Sequence, residues 1–349
     1  TLDNVWTRLK AVKGRSFDEA FKGVFGDTPE YLYQRFVTEF SQMAMNSESS
    51  EGNKPSRWLD AEYDIKDIAI SPNGGKLAVL EVSKDRKVFI NVYEAQEKFE
   101  KAQKELLKND PQDIADKTPA IFKRKKLHSL SQQNFTRLRN PKWVNETTII
   151  FGANTRSENG LHQDLFSWNI ETDKLSRVTN KAGIRRFDVR GDLLIAEQNQ
   201  FGFSNLVSID LTTKQLNNLS DSSLKHTYDF PIFNPVNKQQ IAFLRSRPNK
   251  PWALYVAELN EKNSVLSQIT SVTMPANYQF LSHPQWAKDG QSIYFVSGVE
   301  QQLGLYQFNL SSNQLVKHHV NETMLSSMHQ ANAEKAEFLY VGIRSTGPD

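Results

Sequence analysis

The chain has 349 residues, with 43 lysines and arginines, 40 aspartates and glutamates and no cysteine, and its net charge is +3. The balanced charge and the lack of a basic face interleaved with aromatic residues argue against nucleic-acid binding as the main role. Without cysteine the chain has no disulfide, thiolate metal site or cysteine nucleophile, and no apolar run approaches the roughly 20 residues of a membrane span.

Residues 1–45 predict helices rather than strands. Apolar residues recur at helical spacing in three stretches, which are separated by Gly14 and Gly26. Ser16 and Glu19 have the spacing of a capping box, and Gly26 is placed to end the second helix in a left-handed conformation. Large apolar residues form stripes that we expect to be buried, and these include Phe17, Phe21, Phe25, Phe36 and Phe40. A segment this short cannot cover them alone, so we expect it to pack on another surface.

The polar residues 46–56 predict a linker. From 57 to 349 the pattern changes to short apolar runs, separated by turn residues, that predict β-strands. One unit is clearest where a turn at Lys288–Gly290 precedes two runs, Ile293–Val296 and Leu305–Leu310. Such a pair of runs predicts one β-hairpin.

The hairpin recurs at a regular spacing. Equivalent strands begin near residues 77, 148, 193, 240, 292 and 338, so the steps are about 71, 45, 47, 52 and 46 residues. A spacing of roughly 40–50 residues with about four strands per unit is typical of a β-propeller blade. The sequence therefore predicts a mainly β fold, a β-propeller with five full blades and the start of a sixth. A β-sandwich is the alternative, but sandwiches do not repeat one turn–strand–loop–strand phrase at this spacing.

The first step is long because of an insertion in the first blade, at about 94–127. A narrow apolar stripe predicts a helix that is otherwise rich in lysine and glutamate, and Phe122–Lys126 is a basic run. One interpretation is a docking arm for a partner or an anionic surface. The other, which the composition favours, is a solvated helix against the edge of the blade.

Polar and charged residues lie on, or just before, the first strand of three successive units. First strands line the central channel of a propeller, so these residues are candidates for binding an anionic or peptide ligand. The candidates are Arg185, Arg186, Asp188, His226, Tyr228, Asp229, Tyr278 and His283. A channel that is lined by polar residues and holds only water is the alternative, and the sequence alone favours it.

The sequence carries no recognisable catalytic or cofactor motif. None of its seven histidines belongs to an H-E-x-x-H pair, no G-x-S-x-G nucleophile elbow occurs, and no glycine-rich phosphate loop appears. His318 and His319 are adjacent, so on a strand they point to opposite faces and cannot share a metal. We therefore expect no catalytic residue, metal or cofactor in this chain.

Two resemblances narrow the expected family. The phrase ISPNGGKLAV at residues 70–79 resembles the SPDGKKIAF phrase of TolB-type and prolyl-oligopeptidase propellers. The segment GRSFDEAFKGVFGDTPEYLYQRF resembles the last helices of a bacterial HExxH-type (gluzincin) metallopeptidase domain, which in that family precedes a propeller of TolB-like repeats. That family uses two histidines to bind zinc and a glutamate as general base. Because H-E-x-x-H is missing, the resemblance implies that a catalytic zinc domain lies upstream of Thr1.

Three hypotheses about function follow. The first is a non-catalytic propeller that binds or gates a protein or peptide substrate, as the accessory of a periplasmic or secreted metallopeptidase. The second is a TolB-like module that binds a protein partner without any associated enzyme. The third is the propeller of a prolyl-oligopeptidase-type serine hydrolase, which the helices at 1–45 do not favour.

The expected location and extent of the protein rest on similar arguments. The resemblance and the absence of cysteine favour a bacterial periplasm or secretion. The sixth unit stops after two strands, and an open propeller exposes strand edges. We therefore expect the polypeptide to continue past Asp349.

Overall fold

The computed structural model of the chain describes residues 2–47, 59, 63–95, 125–131, 135–158, 160–200, 202–220, 225–260, 265–299, 302–318, 324–330 and 338–343. It contains two compact units. One comprises Thr1–Pro55, Asn321–Thr323 and Arg344–Asp349, and the other comprises Ser56–Val320 and Met324–Ile343. Among the described helices, none is long and apolar enough to cross a membrane.

The first unit contains three helices, α1 (Leu2–Ala11), α2 (Phe17–Phe25) and α3 (Pro29–Ser47). The capping box at the start of α2 is confirmed: Ser16 Oγ accepts a hydrogen bond from Glu19 N at 3.2 Å, and Ser16 N donates to Glu19 Oε2 at 3.1 Å. Gly26 ends the helix at φ 90°, and its N–H donates to the Lys22 carbonyl at 2.8 Å. These local signals set the helix bounds without help from distant residues.

The apolar stripes of these helices are only partly buried. The rings of Trp6, Phe17, Phe21 and Phe25 follow one another at centroid distances of 6.0, 5.8 and 4.5 Å. Phe17 and Phe25 nevertheless remain 41% and 42% exposed, and Phe36 is 60% exposed. The side chain of Phe40 lies outside the described part. The described rings form a ladder along one face of α1 and α2 rather than an enclosed core.

The second unit contains six antiparallel sheets, each built from consecutive strands. The first sheet is β1 (Asp64–Ile70), β2 (Lys76–Val82), β3 (Val88–Glu94) and β4 (Lys126–Ser131). The second is β5 (Thr136–Trp143), β6 (Thr148–Ser157), β7 (Gly160–Asn169) and β8 (Lys174–Arg177). The third is β9 (Ile184–Arg190), β10 (Leu193–Gln200), β11 (Phe203–Asp210) and β12 (Leu216–Asn218).

The remaining sheets continue in the same order. The fourth is β13 (Thr227–Phe233), β14 (Gln240–Ser246), β15 (Ala253–Asn260) and β16 (Val265–Ser271). The fifth is β17 (Tyr278–Trp286), β18 (Ser292–Val299), β19 (Gln302–Asn309) and β20 (Gln314–His318). The sixth has two described strands, β21 (Met324–Gln330) and β22 (Phe338–Ile343).

The first strands of the six sheets form a closed ring. Each of β1, β5, β9, β13 and β17 lies against the first strands of its neighbours, and β21 lies against both β17 and β1. The predicted fold class is confirmed: a mainly β protein, a propeller with five four-stranded blades and the beginning of a sixth. The insertion predicted at 94–127 connects β3 to β4, and its residues 96–124 lie outside the described part. Of the linker predicted at 46–56, residues 46 and 47 belong to α3 and residues 48–56 lie outside the described part.

The core of the propeller lies between adjacent blades. Trp143, Phe151 and Trp168 of the second blade pack with Ile90 of the first in one apolar cluster. Equivalent clusters join the second blade to the third, the third to the fourth and the fourth to the fifth. Each large side chain so buried contributes about 1.5–3 kcal/mol. Because both faces of each blade are covered, its middle strands are apolar on consecutive residues rather than on alternate ones.

The turns between third and fourth strands repeat one device. An amide or carboxylate oxygen at the end of the third strand accepts a hydrogen bond from the backbone N–H two or three residues later, at 2.7–3.1 Å. The residues that do this are Asn169, Asp210 and Asn309. The residue four positions later has a left-handed φ of 54°, 60° and 54°, respectively. The same side-chain hydrogen bond therefore shapes this turn in the second, third and fifth blades.

Buried hydrogen bonds join neighbouring blades. Trp143 Nε1 on β5 donates to the Ala69 carbonyl on β1 at 2.9 Å. On the other side of β1, His329 Nε2 lies 2.7 Å from the Ile68 carbonyl. Burial lowers the pKa of His329 to about 3, so the ring is neutral and Nε2 carries the donated proton. The first strand of the sixth blade is thus tied to the first strand of the first.

Trp143→Phe tests the contribution of one such link. The substitution removes the indole donor and leaves the Ala69 carbonyl buried without it, so we expect a loss of about 1–3 kcal/mol in the free energy of unfolding, measured by chemical denaturation. Trp286→Phe is the matched control, because Trp286 is 2% exposed and its Nε1 has no hydrogen-bond partner among the described residues. If both variants lose the same free energy of unfolding, the loss comes from the smaller ring and not from the inter-blade hydrogen bond.

Candidate binding channel

The six first strands enclose a narrow cavity at the centre of their ring. The cavity has a volume of about 50 Å³ and is lined by residues from every first strand. Its polar and charged lining residues are Asp67, Asn140, Lys142, Arg186, His283, Gln285 and His329. At roughly 10–15 Å³ for one water, a cavity of this size holds only a few water molecules. A larger ligand can therefore place no more than a small group inside it.

A wider cavity shares two residues with the channel. It has a volume of about 360 Å³, and Gln285 and His329 line both cavities. The turn between β1 and β2, residues 70–74, forms one wall, and Trp286 and Lys288 of the fifth blade form another. This volume lies within the range of roughly 300–1,000 Å³ that is usual for sites of small ligands.

Bulges in three first strands turn side chains towards the channel. Asn140, Phe230 and His283 each precede a proline and have φ values of 53°, 47° and 50°. The pairing of β5, β13 and β17 with their second strands shifts register at the same places. A left-handed conformation in a bulky residue costs about 1–3 kcal/mol, and such strain is concentrated at functional sites. The strain recurs at equivalent positions of the second, fourth and fifth blades, and each strained residue lines the channel.

Ion pairs hold the third and fourth blades together behind the channel wall. Asp229 Oδ2 accepts hydrogen bonds from Arg185 Nη2 at 2.8 Å and from Arg186 Nη1 at 3.0 Å. Arg185 Nε also donates to Glu197 Oε2 at 3.0 Å, and Asn199 Nδ2 donates to the other oxygen of Glu197 at 2.7 Å. One guanidinium thus bridges two carboxylates from neighbouring blades, which fixes the direction in which Arg186 leaves β9.

Glu197 is the most perturbed acid of this network. Glu197 is only 1% exposed to solvent. Burial, followed by the nearby charge of Asp229, raises the pKa of Glu197 to about 7, and the charge of Arg185 lowers it only in part. The carboxyl group therefore carries its proton over much of the range in which an exposed glutamate is ionised.

Arg186, Phe230 and His283 stack on one another at the channel wall. The guanidinium carbon of Arg186 lies 3.5 Å from the centroid of the Phe230 ring, and the His283 ring meets Phe230 edge-on at 5.2 Å. Burial, and then the charge of Arg186, lowers the pKa of His283 to about 4, so its ring is neutral at pH 7. Its Nδ1 is buried and has no hydrogen-bond partner within the described ranges. The stack therefore offers one cation and one unused imidazole nitrogen in the channel wall.

The eight predicted site residues separate into three groups. Arg186 and His283 line the channel. Arg185, Asp188 and Asp229 lie on first strands but bond to neighbouring blades, as when Asp188 Oδ2 accepts from Phe233 N at 2.8 Å. The other three do not line the channel: Tyr278 donates its hydroxyl to the Trp252 carbonyl at 2.7 Å, and the ring of Tyr228, which is 4% exposed, lies beside His226. A role of any of the eight in ligand binding stays a prediction.

Sequence reasoning missed several channel residues. Asp67, Asn140, Lys142 and His329 all line it. One sequence signal could have found Asn140: it directly precedes a proline, as Phe230 and His283 do on the equivalent strands. Glu197 lies on a second strand, and nothing local marks its link to Asp229. Among the described residues, no group of three or more histidines and acids is placed to hold a metal ion.

Comparison with known proteins identifies the fold. No protein-family model and no curated protein matches the chain. Among solved structures, TolB from Acinetobacter baumannii is similar with a TM-score of 0.54 and 14% identity over 77% of this chain, and the chain spans only 57% of that protein. The putative TolB from Agrobacterium tumefaciens has a TM-score of 0.49 and 10% identity over 81% of this chain and 84% of its own. At such identities the likeness establishes a TolB-like β-propeller fold and nothing further.

A third similar structure comes from a protease. The β-propeller domain of the Trilobed protease from Pyrococcus furiosus has a TM-score of 0.48 and 11% identity, over 81% of this chain and 76% of its own.

Glu197→Gln tests the raised pKa. Glu197 is protonated up to about pH 7 in the folded chain, whereas in the unfolded chain it ionises above about pH 4.5. Its contribution to stability is therefore full at low pH and is lost as the pH rises through 7. We expect the free energy of unfolding of Glu197→Gln, relative to the parent, to rise by at least about 1 kcal/mol between pH 5 and pH 8.

Glu258→Gln is the control for this series, because Glu258 is an exposed glutamate on β15. The difference in the free energy of unfolding between Glu258→Gln and the parent should stay constant between pH 5 and pH 8. If the free energy of unfolding of Glu197→Gln, relative to the parent, is equally constant over this range, Glu197 is ionised in the folded chain. The argument for its buried proton is then wrong.

Proposed function

We propose that this chain is a non-catalytic β-propeller module that binds or gates a protein or peptide, as the accessory of a periplasmic or secreted metallopeptidase. The observation that carries the proposal is the strained channel wall. Three blades independently hold a residue before proline at positive φ, and all three side chains line one cavity. Strain repeated at one place, with a buried imidazole nitrogen that has no partner in the described part, is the pattern of a binding surface.

The dimensions decide how a ligand would bind. The channel itself holds only a few waters, whereas the cavity of about 360 Å³ beside it is large enough for one or two side chains of a peptide. Among the residues that line the channel, Arg186 and Lys142 are positive and Asp67 is negative. Asp229, which bonds to Arg186, and Asp188, which lies 3.9 Å from Lys142, do not line it. A peptide that places an acidic side chain towards the channel is therefore favoured over one that places a basic side chain there.

The association with a metallopeptidase rests on the helical segment. The segment that resembles the last helices of a gluzincin domain forms α2 and the beginning of α3, up to Phe36, and its capping box is present. The alternative, the propeller of a serine hydrolase, does not account for these helices. In this proposal zinc belongs to a separate catalytic domain, because the sequence itself has no H-E-x-x-H.

Peptide binding tests the proposal directly. Two fluorescein-labelled octapeptides that differ only in a central aspartate or lysine are titrated with the chain, and fluorescence anisotropy is measured at low and at physiological salt. We expect the aspartate peptide to bind more tightly, and Arg186→Gln to weaken it about 5- to 10-fold, as loss of one charge-assisted hydrogen bond implies. Arg247→Gln, at an exposed arginine, should leave the affinity unchanged.

Two outcomes would contradict this assignment. If neither peptide binds, the channel is not a site for acidic peptides. If the aspartate peptide binds equally to the parent and to Arg186→Gln, binding occurs on another surface.

The chain alone should not hydrolyse substrates. We expect no release of fluorescence from labelled casein and no hydrolysis of p-nitrophenyl acetate above the buffer rate. Turnover that disappears with 1,10-phenanthroline would reveal a metal site and contradict the non-catalytic assignment. Turnover that survives chelation would reveal a nucleophilic site instead.

A further inference from the structure

Basic side chains gather where the second and third blades meet, at the end of the blades from which the first strands start. They come from β5, β6, β9 and the loop that joins β8 to β9, and we call them the basic patch. Its members are Arg137, Arg139, Arg156, Lys181 and Arg185. Because they come from separate stretches of the chain, no basic run in the sequence marks them.

Arg139 joins the two blades from the centre of the patch. Its Nη2 donates to the Ile184 carbonyl at 3.0 Å and its Nε to the Arg185 carbonyl at 3.3 Å, both on the third blade. Its Nη1 donates to Asn154 Oδ1 at 2.7 Å and to the Arg137 carbonyl at 3.3 Å. All these acceptors are neutral oxygens, so the hydrogen bonds fix the guanidinium in place without cancelling its charge.

The positive charges of the patch lie close enough to affect one another. Burial, and then the charge of Arg185, lowers the pKa of Arg139 to about 10, and the charge of Arg137 acts in the same direction. Like charges that are held together by the fold repel one another. A negatively charged group from outside the chain would relieve this repulsion.

The acids at this end of the two blades do not balance the patch. Asp164 is fully buried and accepts from Arg177 Nη2 at 2.6 Å. Glu197, together with Asp229 of the next blade, pairs with Arg185. Within the described ranges, the cations of the patch that form no ion pair with a carboxylate are Arg137, Arg139, Arg156 and Lys181.

The cations of the patch are spread over a surface instead of pointing at one spot. Thr136 pairs with Asn154, so Arg156 lies two residues, or roughly 7 Å, further along β6. Its cross-strand neighbour Leu161 is 64% exposed, which places Arg156 at the outer rim. Cations at this spacing suit several carboxylates along one chain better than a single small anion.

The surroundings of the patch favour an acidic protein segment over a nucleic acid. Sites for single-stranded nucleic acids combine cations with aromatic side chains on which the bases stack. In the described part of residues 135–186 the exposed large apolar side chains are Leu161 and Leu175, and no aromatic ring is exposed. An extended peptide rises about 3.3 Å per residue, so acidic residues at alternate positions match the spacing along β6.

Two consecutive arginines connect the patch to the channel. Arg185 belongs to the patch, and Arg186 lines the channel wall. A peptide with one acidic side chain directed towards Arg186 therefore reaches the patch within a few residues.

We propose that the basic patch holds a run of acidic residues of the protein partner, next to the residue that enters the channel. The position of this run relative to the channel rests on the proposed function, whereas the attraction of the patch for acidic residues does not. Since most of the cations are exposed, the attraction should weaken as the salt concentration rises.

Two fluorescein-labelled peptides of fourteen residues test the patch by fluorescence anisotropy. Both begin with the aspartate octapeptide, and one continues with six glutamates, the other with six glutamines. We expect the glutamate peptide to bind about 10-fold more tightly at low salt, and by a smaller ratio at physiological salt. The double variant Arg137→Gln/Arg156→Gln should remove most of this ratio, because both side chains are exposed and belong to the patch.

Lys174→Gln/Lys238→Gln is the matched control. It makes the same change in net charge with two exposed lysines at the opposite end of the blades, and it should keep the full ratio. Equal binding of the glutamate and glutamine peptides to the parent chain would overturn the proposal. So would a ratio that persists in Arg137→Gln/Arg156→Gln, since the acidic run would then bind elsewhere.

Two further measurements separate the patch from the channel and from a nucleic-acid site. The octapeptide alone should bind the parent and Arg137→Gln/Arg156→Gln equally. If it does not bind while the glutamate peptide binds through the patch, the channel assignment fails and the patch stands. If a labelled oligothymidylate of fourteen nucleotides binds more tightly than the glutamate peptide and loses affinity in the same double variant, the patch is a nucleic-acid site and the proposal is wrong.

Discussion

Closure of the ring of first strands is the constraint on which the propeller depends. A ring leaves no first strand with an unpacked side, and every described core cluster that joins two blades requires both neighbours to be in place. The closing contact lies between the last and the first blade, where the neutral ring of His329 donates to the Ile68 carbonyl. The sixth blade therefore matters for the whole domain, although only two of its strands are described.

The chemistry of the channel follows from this arrangement. Six strands that converge on one axis leave room for few side chains, so the side chains that enter do so from bulges, where Phe230 and His283 adopt positive φ. The charges that could not be solvated there are paired, as Arg185 is with Glu197 of its own blade and with Asp229 of the next blade. The wall then presents Arg186, which also bonds to Asp229, and the His283 nitrogen that has no partner among the described residues, and the proposed binding of acidic peptides rests on these two.

The sequence predicted those features whose causes are local. Strand number and blade spacing were readable because the turn residues recur, and the capping box of α2 needs only Ser16 and Glu19. The channel was predicted only in part: Arg186 and His283 were found because they lie on first strands. Glu197 was missed because its raised pKa depends first on burial and then on the charge of Asp229 in another blade, neither of which a local pattern encodes. Tyr278 was placed on the correct strand, but its hydroxyl bonds to the Trp252 carbonyl and its side chain does not line the channel.

Native-state hydrogen exchange tests the closure of the ring most directly. Amide protection is measured by mass spectrometry for peptides that cover β1 and β21, with the outermost strands β8 and β20 as internal references. The account predicts that β1 and β21 exchange together, at rates close to those of β5, β9, β13 and β17 and more slowly than β8 and β20. If β21 exchanges as fast as those outermost strands while β1 stays protected, the ring is open at the sixth blade and the account is wrong.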